Sequence, residues 1–196
     1  MDILFLARHG QSSFNVDGIV NGDPSLDRGL SPLGVREAGD LDRQLAGAAI
    51  DLCVTSQFPR AMETAQLALG ERASVVPKLV DPGLNDVRIG ELEGQTLDAY
   101  RSWKQAHRPS EPFPGGESLC DAARRYADAF ERLLTRPEHA VLCVCHEIPV
   151  RYIVNAALGS DRLDGPLHDV ANATPYVFDA DGLRRAVPRL RDLARD

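Results

Sequence analysis

Two arginines and two histidines stand where apolar runs of this sequence break into polar residues. Residues 3–7 end in Arg8-His9-Gly10, residues 52–55 end in Ser56 with Arg60 four positions on, and residues 140–145 give way abruptly to His146. Such groups suit a phosphate. A guanidinium stays charged at any working pH and presents a planar fork that takes phosphate oxygens bidentately. An imidazole can attack through one ring nitrogen while a hydrogen bond holds the other protonated. Phosphoryl transfer asks chiefly for positioning and for neutralised charge on the equatorial oxygens, which two arginines and a protonated histidine supply without a metal.

These side chains meet only if the elements carrying them are neighbours. Each apolar run reads as a buried strand that delivers polar groups at its carboxyl end. Between the runs, Ser31 caps a helix that opens on Pro32 and buries Leu33, Ala38, Leu41 and Leu45. Pro59 opens a second helix, Thr96 a third, and Ser118 with Asp121 forms a capping box ahead of the longest, which runs to about Leu134. A last helix is expected to start at Pro149. Val75-Val76 reads as a brief strand, and residues 174–178 and 183–187, joined by Asp179-Ala180-Asp181-Gly182, read as a closing hairpin. Strands alternating with helices predict an α/β fold, a three-layer α/β/α sandwich around a largely parallel mixed sheet. Ligands of such sheets sit beyond the carboxyl ends of the strands, where Arg8, His9, Arg60 and His146 fall.

At 196 residues, 43% hydrophobic and 26% charged, the chain has the size of one domain spanning 1–196. The proline-punctuated stretch within 91–117 is its candidate lid or substrate-selecting segment. A net charge of −7 argues against a nucleic-acid partner. Apolar runs are strand-sized, far below the ~20 residues of a membrane span. The opening Met1-Asp2-Ile3-Leu4-Phe5 carries no secretory pattern, so a cytoplasmic location is expected. Cys53, Cys120, Cys143 and Cys145 lack disulfide or metal spacing and read as reduced thiols, buried in apolar surroundings for the most part. No metal site and no cofactor are expected; the partner is a small phosphorylated substrate, and a homodimer is carried as an option.

Arg8-His9-Gly10-Gln11-Ser12, with Asn15 three residues on, resembles the signature of the histidine phosphatase superfamily, which includes the phosphoglycerate mutases. The resemblance continues in order through Leu30-Ser31-Pro32-Leu33-Gly34, the stretch from Ser56 to Ala65, Leu84 to Gly94, Pro114-Gly115-Gly116-Glu117-Ser118, Val144-Cys145-His146 leading to Arg151, and Asn172-Ala173-Thr174. It implies a phosphoglycerate mutase-like fold and transient phosphorylation of His9. Arg8, Arg60 and His146 would hold the phosphoryl group, Asn15 would add a hydrogen bond, and Gln11 and Ser12 would line the substrate site; Glu147 joins them by its place directly after His146. The implied activity is a metal-independent phosphomonoesterase; the alternatives are a cofactor-dependent phosphoglycerate mutase and a non-catalytic phospho-ligand binding domain.

The sequence departs from the pattern twice. The family's general acid is a glutamate, and the matching residue here is Asp86. Its carboxyl is one methylene shorter and its lower intrinsic pKa must be raised by burial. Glu147 stands where the family usually has glycine, so it either points away or receives a leaving-group cation or a substrate hydroxyl. Two rival motifs are weaker. The sequence His146-Glu147-Ile148-Pro149-Val150 lacks the second histidine of a zinc-protease helix. Cys145 and Arg151 have the spacing of a thiolate phosphatase, yet the intervening residues lack glycine and include Pro149 and Glu147, poor partners for an anion nest. His107, His139 and His168 read as surface histidines; Arg28, Arg88, Arg101 and Arg108 read as solvated cations, and Tyr100 and Trp103 as a packed helix face.

Overall fold

The computed structural model describes residues 1–195. Five strands form one sheet in the order β3-β2-β4-β1-β5, with β1 (Ile3–Arg8), β2 (Leu52–Thr55), β3 (Lys78–Val80) and β4 (Ala140–Cys145) parallel. The edge strand β5 (Pro175–Asp179) runs antiparallel to β1. Side-chain alternation splits the core between the faces. Leu4, Leu6, Val141, Cys143 and Cys145 pack towards α5 (Leu119–Leu134), α6 (Glu147–Ala157) and α7 (Ala180–Leu193). Ala7, Leu142 and Val144 pack on the opposite side, where α2 (Pro32–Gln44) and α3 (Pro59–Leu69) lie. The expected α/β/α sandwich with its mixed, largely parallel sheet is the fold observed.

Because β2, β4 and β1 are consecutive in the sheet, their carboxyl ends lie side by side. Arg8 is in register with Cys145, and Thr55 with Val144, so Ser56, His146 and His9 emerge at one edge. Two glycines allow the first helices to close on that edge. A side chain at Gly10 would place its Cβ 2.5 Å from the carbonyl oxygen of Gly34, and one at Gly34 would stand 2.1 Å from that of Gln11. Only glycine at both positions permits this backbone contact. The short helix α1 (Ser13–Asp17) then starts from a capping box made by Ser12 and Asn15.

The capped starts of α2, α4 (Leu97–Ala106) and α5 at Ser31, Thr96 and Ser118 agree with the sequence expectations. Three expectations are corrected. Val75-Val76 is not a strand: Gly70–Ser74 is a 3-10 turn, and the strand follows Pro77 at Lys78–Val80. That edge strand is exposed on all three residues, so it carries no hydrophobic pattern to find. The closing hairpin is instead strand β5 followed by helix α7. Asp179, read as a turn residue, caps the helix by accepting from the Gly182 N–H at 2.6 Å. Leu183, Ala186, Val187 and Leu190 then recur with helical period on its buried face. Helix α6 begins at Glu147, so Pro149 lies inside its first turn, where a missing N–H costs nothing.

Candidate active site

The polar edge opens into a cleft of about 560 Å³, lined by Arg8, His9, Arg60, Asp86, Glu147 and Arg151 among others. Behind His9, the fully buried His146 meets it edge-on, ring centroids 5.2 Å apart. The His9 backbone N–H donates to Cys145 O at 2.9 Å, and its own carbonyl accepts from Asn172 Nδ2 at 2.7 Å, so β4 and the segment before β5 fix its position. Ala173 takes the left-handed conformation, φ 45°, where its N–H donates to Arg8 O at 3.0 Å. A non-glycine residue held there marks strain accepted beside the site.

His9 Nδ1 lies 2.7 Å from Gly10 O, which can only accept, so the proton sits on Nδ1. That leaves the Nε2 lone pair open, where it accepts from Arg60 Nε at 3.0 Å. Burial, then the charges of Arg60 and Arg8, hold the His9 pKa well below the ordinary 6.5, so the imidazole is neutral. His146 is likewise pushed well below 6.5 by burial, Arg60, His9 and Arg8. Its Nε2 lies 2.8 Å from Ser56 Oγ, and its Nδ1 lies 3.3 Å from Arg60 Nη2.

Arg60 is the hub. Its guanidinium lies over the Phe58 ring at 4.2 Å, donates to Asn21 Oδ1 at 2.6 Å, and pairs at 3.2 Å with Asp27, whose side chain is fully buried. Arg8 donates through Nη1 to Val170 O at 2.9 Å, while its buried Nε has no hydrogen-bond partner among the described residues. A buried donor left open in this way is a demand for an acceptor from outside the chain.

Asp86 reaches the same cup despite its short side chain. Its Oδ2 lies 3.4 Å from Arg60 Nη2 and 3.6 Å from His146 Nδ1. Burial raises its pKa above 3.8, against the lowering pull of Arg60 and of the Val87 N–H. The backbone that carries it is clamped by Arg125, which donates to Gly83 O, Asn85 O and Asp86 O at 2.8–3.3 Å. Arg125 in turn pairs with the buried Glu117 at 2.5 Å, and Glu117 Oε1 accepts from the Arg88 N–H at 3.0 Å.

The structure therefore gathers His9, Arg8, Arg60, Asp86 and His146, and brings Ser12, Asn15 and Glu147 to the cleft wall. Asn15 Oδ1 is engaged by the Ser12 N–H at 3.0 Å. Gln11 is not brought in: its side chain accepts from Ser31 Oγ at 2.8 Å and ties the loop to α2 instead. Cys145 is also absent from the cleft, buried on the α5–α7 face, which removes the thiolate alternative. Glu147 does not point away; it bridges Arg8 at 3.1 Å and Arg151 at 3.0 Å. Asn21, Asp27, Arg125, Lys104 and Asp164 escaped the sequence reading. They lie in loops or on helix surfaces, with no spacing relative to the histidines that announces them.

The histidine phosphatase superfamily (branch 1) profile matches residues 4–193, and the chain belongs to that family. A 2,3-bisphosphoglycerate-dependent phosphoglycerate mutase of a Methylobacterium species is 36% identical over 193 residues, 90% of each chain. The human 6-phosphofructo-2-kinase/fructose-2,6-bisphosphatase 4 is 32% identical over 189 residues, which cover 89% of this chain and 38% of that one. Among solved structures, an Escherichia coli protein described as a putative alpha-ribazole-5'-P phosphatase superposes with TM-score 0.77 at 25% identity, covering 91% of this chain and 90% of that one. A mycobacterial glucosyl-3-phosphoglycerate phosphatase solved with VO₃ gives 0.74 at 29% identity, covering 90% of this chain and 92% of that one.

Proposed function

We propose that this protein is a phosphomonoesterase that transfers the phosphoryl group to His9 and then to water. The observation that carries this is the His9 ring, whose Nδ1 is held by Gly10 O and whose Nε2 meets the Arg60 guanidinium at 3.0 Å, with Arg8 on the cleft wall and His146 against Arg60 at 3.3 Å. In the first step Nε2 attacks phosphorus, the ester P–O bond breaks, and the leaving oxygen takes the proton from Asp86. Positive charge arising on the imidazole is stabilised through Nδ1–H by Gly10 O, 2.7 Å away. In the second step the Asp86 carboxylate takes a proton from water, which attacks phosphorus and releases His9. Arg60 and Arg8 neutralise the equatorial oxygens in both steps. A bound phosphate dianion also favours protonated His146, which then donates as a third cation. Two permanent guanidinium charges supply what a metal would otherwise supply, so turnover is expected to persist in chelator.

The 36% identical mutase favours a second reading, return of the phosphoryl group to another hydroxyl of a bound intermediate. This chain covers 90% of that relative, so length does not separate the two; water access to phospho-His9 does. The test is a panel of phosphomonoesters in chelator with rapid acid-free quench. Hydrolysis, with an acid-labile, alkali-stable phosphoryl label on wild type and none on His9→Ala, is expected. Turnover by His9→Ala would overturn the mechanism, and isomerised phosphoglycerate without free phosphate would replace hydrolase by mutase.

A further inference from the structure

Beyond the phosphate cup, the cleft wall carries an unbroken chain of ion pairs. Lys104 meets Asp164 at 3.0 Å, Asp164 meets Arg151 at 3.0 Å, Arg151 meets Glu147 at 3.0 Å, and Glu147 meets Arg8 at 3.1 Å. Among the described lining residues outside the cup, three cations, Arg101, Lys104 and Arg151, are matched by three carboxylates, Glu147, Asp164 and Asp169. The region that receives the leaving group is thus charged yet has no surplus cation.

From this balance we infer that the enzyme selects esters whose leaving group is a neutral polyhydroxy alcohol, with Glu147 as the residue that sets the choice. The inference rests on the phosphatase reading above. Glu147 sits in the first turn of α6, directly after His146, with 31% of its side chain exposed to the cleft. When a phosphoryl group claims Arg8, the Glu147 oxygen released from Arg8 becomes a free acceptor one residue from the cup. A hydroxyl donates to such a carboxylate in a charge-assisted hydrogen bond. A carboxylate in the same place faces Glu147 directly and can reach Arg151 only by displacing Glu147 or Asp164; like-charge juxtaposition of that kind is strongly selective. An ammonium group faces the mirror problem at Lys104 and Arg151. The cleft volume of about 560 Å³ accommodates a phosphate with an alcohol of sugar size.

Glycerol 3-phosphate and 3-phosphoglycerate form a matched pair, a hydroxymethyl group in one standing where the other has a carboxylate; propyl phosphate lacks both. Wild-type kcat/KM is expected to favour glycerol 3-phosphate over each of the others by at least about tenfold. Glu147→Gln keeps an acceptor but removes the charge. It should raise turnover of 3-phosphoglycerate and narrow its gap to glycerol 3-phosphate by about fivefold or more. Glu147→Ala should bring glycerol 3-phosphate down towards propyl phosphate. Equal or better use of 3-phosphoglycerate by wild type, or a ratio unmoved in Glu147→Gln, overturns the inference. Calorimetric binding of the same esters to His9→Ala reads the preference without turnover. A preserved preference there, with no hydrolysis of any ester by wild type, would sink the phosphatase reading and leave the specificity standing.

Discussion

Arg60 Nε donates to His9 Nε2 across 3.0 Å, so the lone pair proposed to attack phosphorus is covered by the guanidinium proposed to hold the phosphoryl group. A phosphate oxygen that accepts this hydrogen bond in place of Nε2 frees the lone pair and brings phosphorus to it in one movement. Arg60→Lys loses both the fork and the direction of the Nε–H. The expected loss in kcat/KM is on the order of 3 kcal/mol, about a hundredfold, the scale of a lost oxyanion-hole donor. Steady-state kinetics on p-nitrophenyl phosphate reads it; a loss under threefold would remove Arg60 from the transition state.

The same side chain also holds the fold. Asp27 has a fully buried side chain paired with Arg60 at 3.2 Å, and its second oxygen accepts the Arg60 backbone N–H at 2.8 Å. Arg60→Met leaves that carboxylate buried without its counter-charge, at a cost of about 3–5 kcal/mol. Adding Asp27→Asn should recover a good part of this in urea unfolding, though no activity. A double variant no more stable than Arg60→Met would mean that Asp27 is compensated elsewhere.

The proposed first step requires His9 without its second proton and Asp86 with one. His9 titrates well below 6.5, and Asp86 above 3.8 because burial outweighs Arg60. The profile of kcat/KM should therefore fall at its alkaline side as Asp86 ionises, and at its acid side only where His9 protonates. Asp86→Asn should abolish the alkaline limb. It should lower kcat/KM of alkyl esters by about 10²–10⁴ and spare kcat/KM of p-nitrophenyl phosphate, whose leaving group needs no proton, while kcat falls for both through the base lost from the second step. An alkaline limb unchanged in Asp86→Asn assigns the acid to another group.

Stability follows a separate sign. His9 and His146 both have folded pKa values well below 6.5, so between those values and 6.5 the unfolded chain binds protons that the folded chain refuses. Stability is then full above about 6.5 and is lost as pH falls below it. Thermal unfolding should show a falling Tm from about pH 7 to pH 5, flattened in the His9→Gln/His146→Gln variant. Inorganic phosphate, which favours the protonated rings, should flatten the wild-type curve as well. An acid slope identical in the double variant would place its origin outside the site.

Much of the fold and of the candidate site was legible in the sequence because parallel strands bring the polar groups at their carboxyl ends together. An apolar run that stops at Arg8-His9 or at His146 states both burial and direction, and the α/β alternation places the three ends together. What escaped lacked a local signature. The edge strand at Lys78–Val80 is exposed throughout, so burial leaves no trace in its residue types. Asp179 served equally as a turn residue and as a helix cap, and only the 3.6-residue period of Leu183, Ala186, Val187 and Leu190 separates the two. Gln11 belongs to the signature by position, yet its neighbour across the loop, Ser31, takes its side chain out of the cleft. Asp27 and Arg125 act on catalytic groups from loops and helices far along the chain, and such contacts exist only in three dimensions.

Arg125 gives the sharpest test of that last kind. Its guanidinium does not line the cleft; it holds the carbonyls of Gly83, Asn85 and Asp86, while Glu117 holds both Arg125 and the Arg88 N–H. The backbone on either side of Asp86 is thereby pinned from one buried ion pair. Loss of the clamp should loosen the carboxyl proposed to protonate the leaving group and leave His9, Arg8 and Arg60 in place. Arg125→Met should therefore lower kcat for alkyl phosphates by about tenfold or more with little change in KM, since a small displacement of a positioned group costs rate before binding. The kcat/KM of p-nitrophenyl phosphate, set by a first step whose leaving group needs no proton, should fall far less. Arg125→Lys, which keeps the charge on Glu117 but cannot span three carbonyls, should recover stability more fully than alkyl-ester turnover. A merely structural role would depress both esters alike, in parallel with the stability lost.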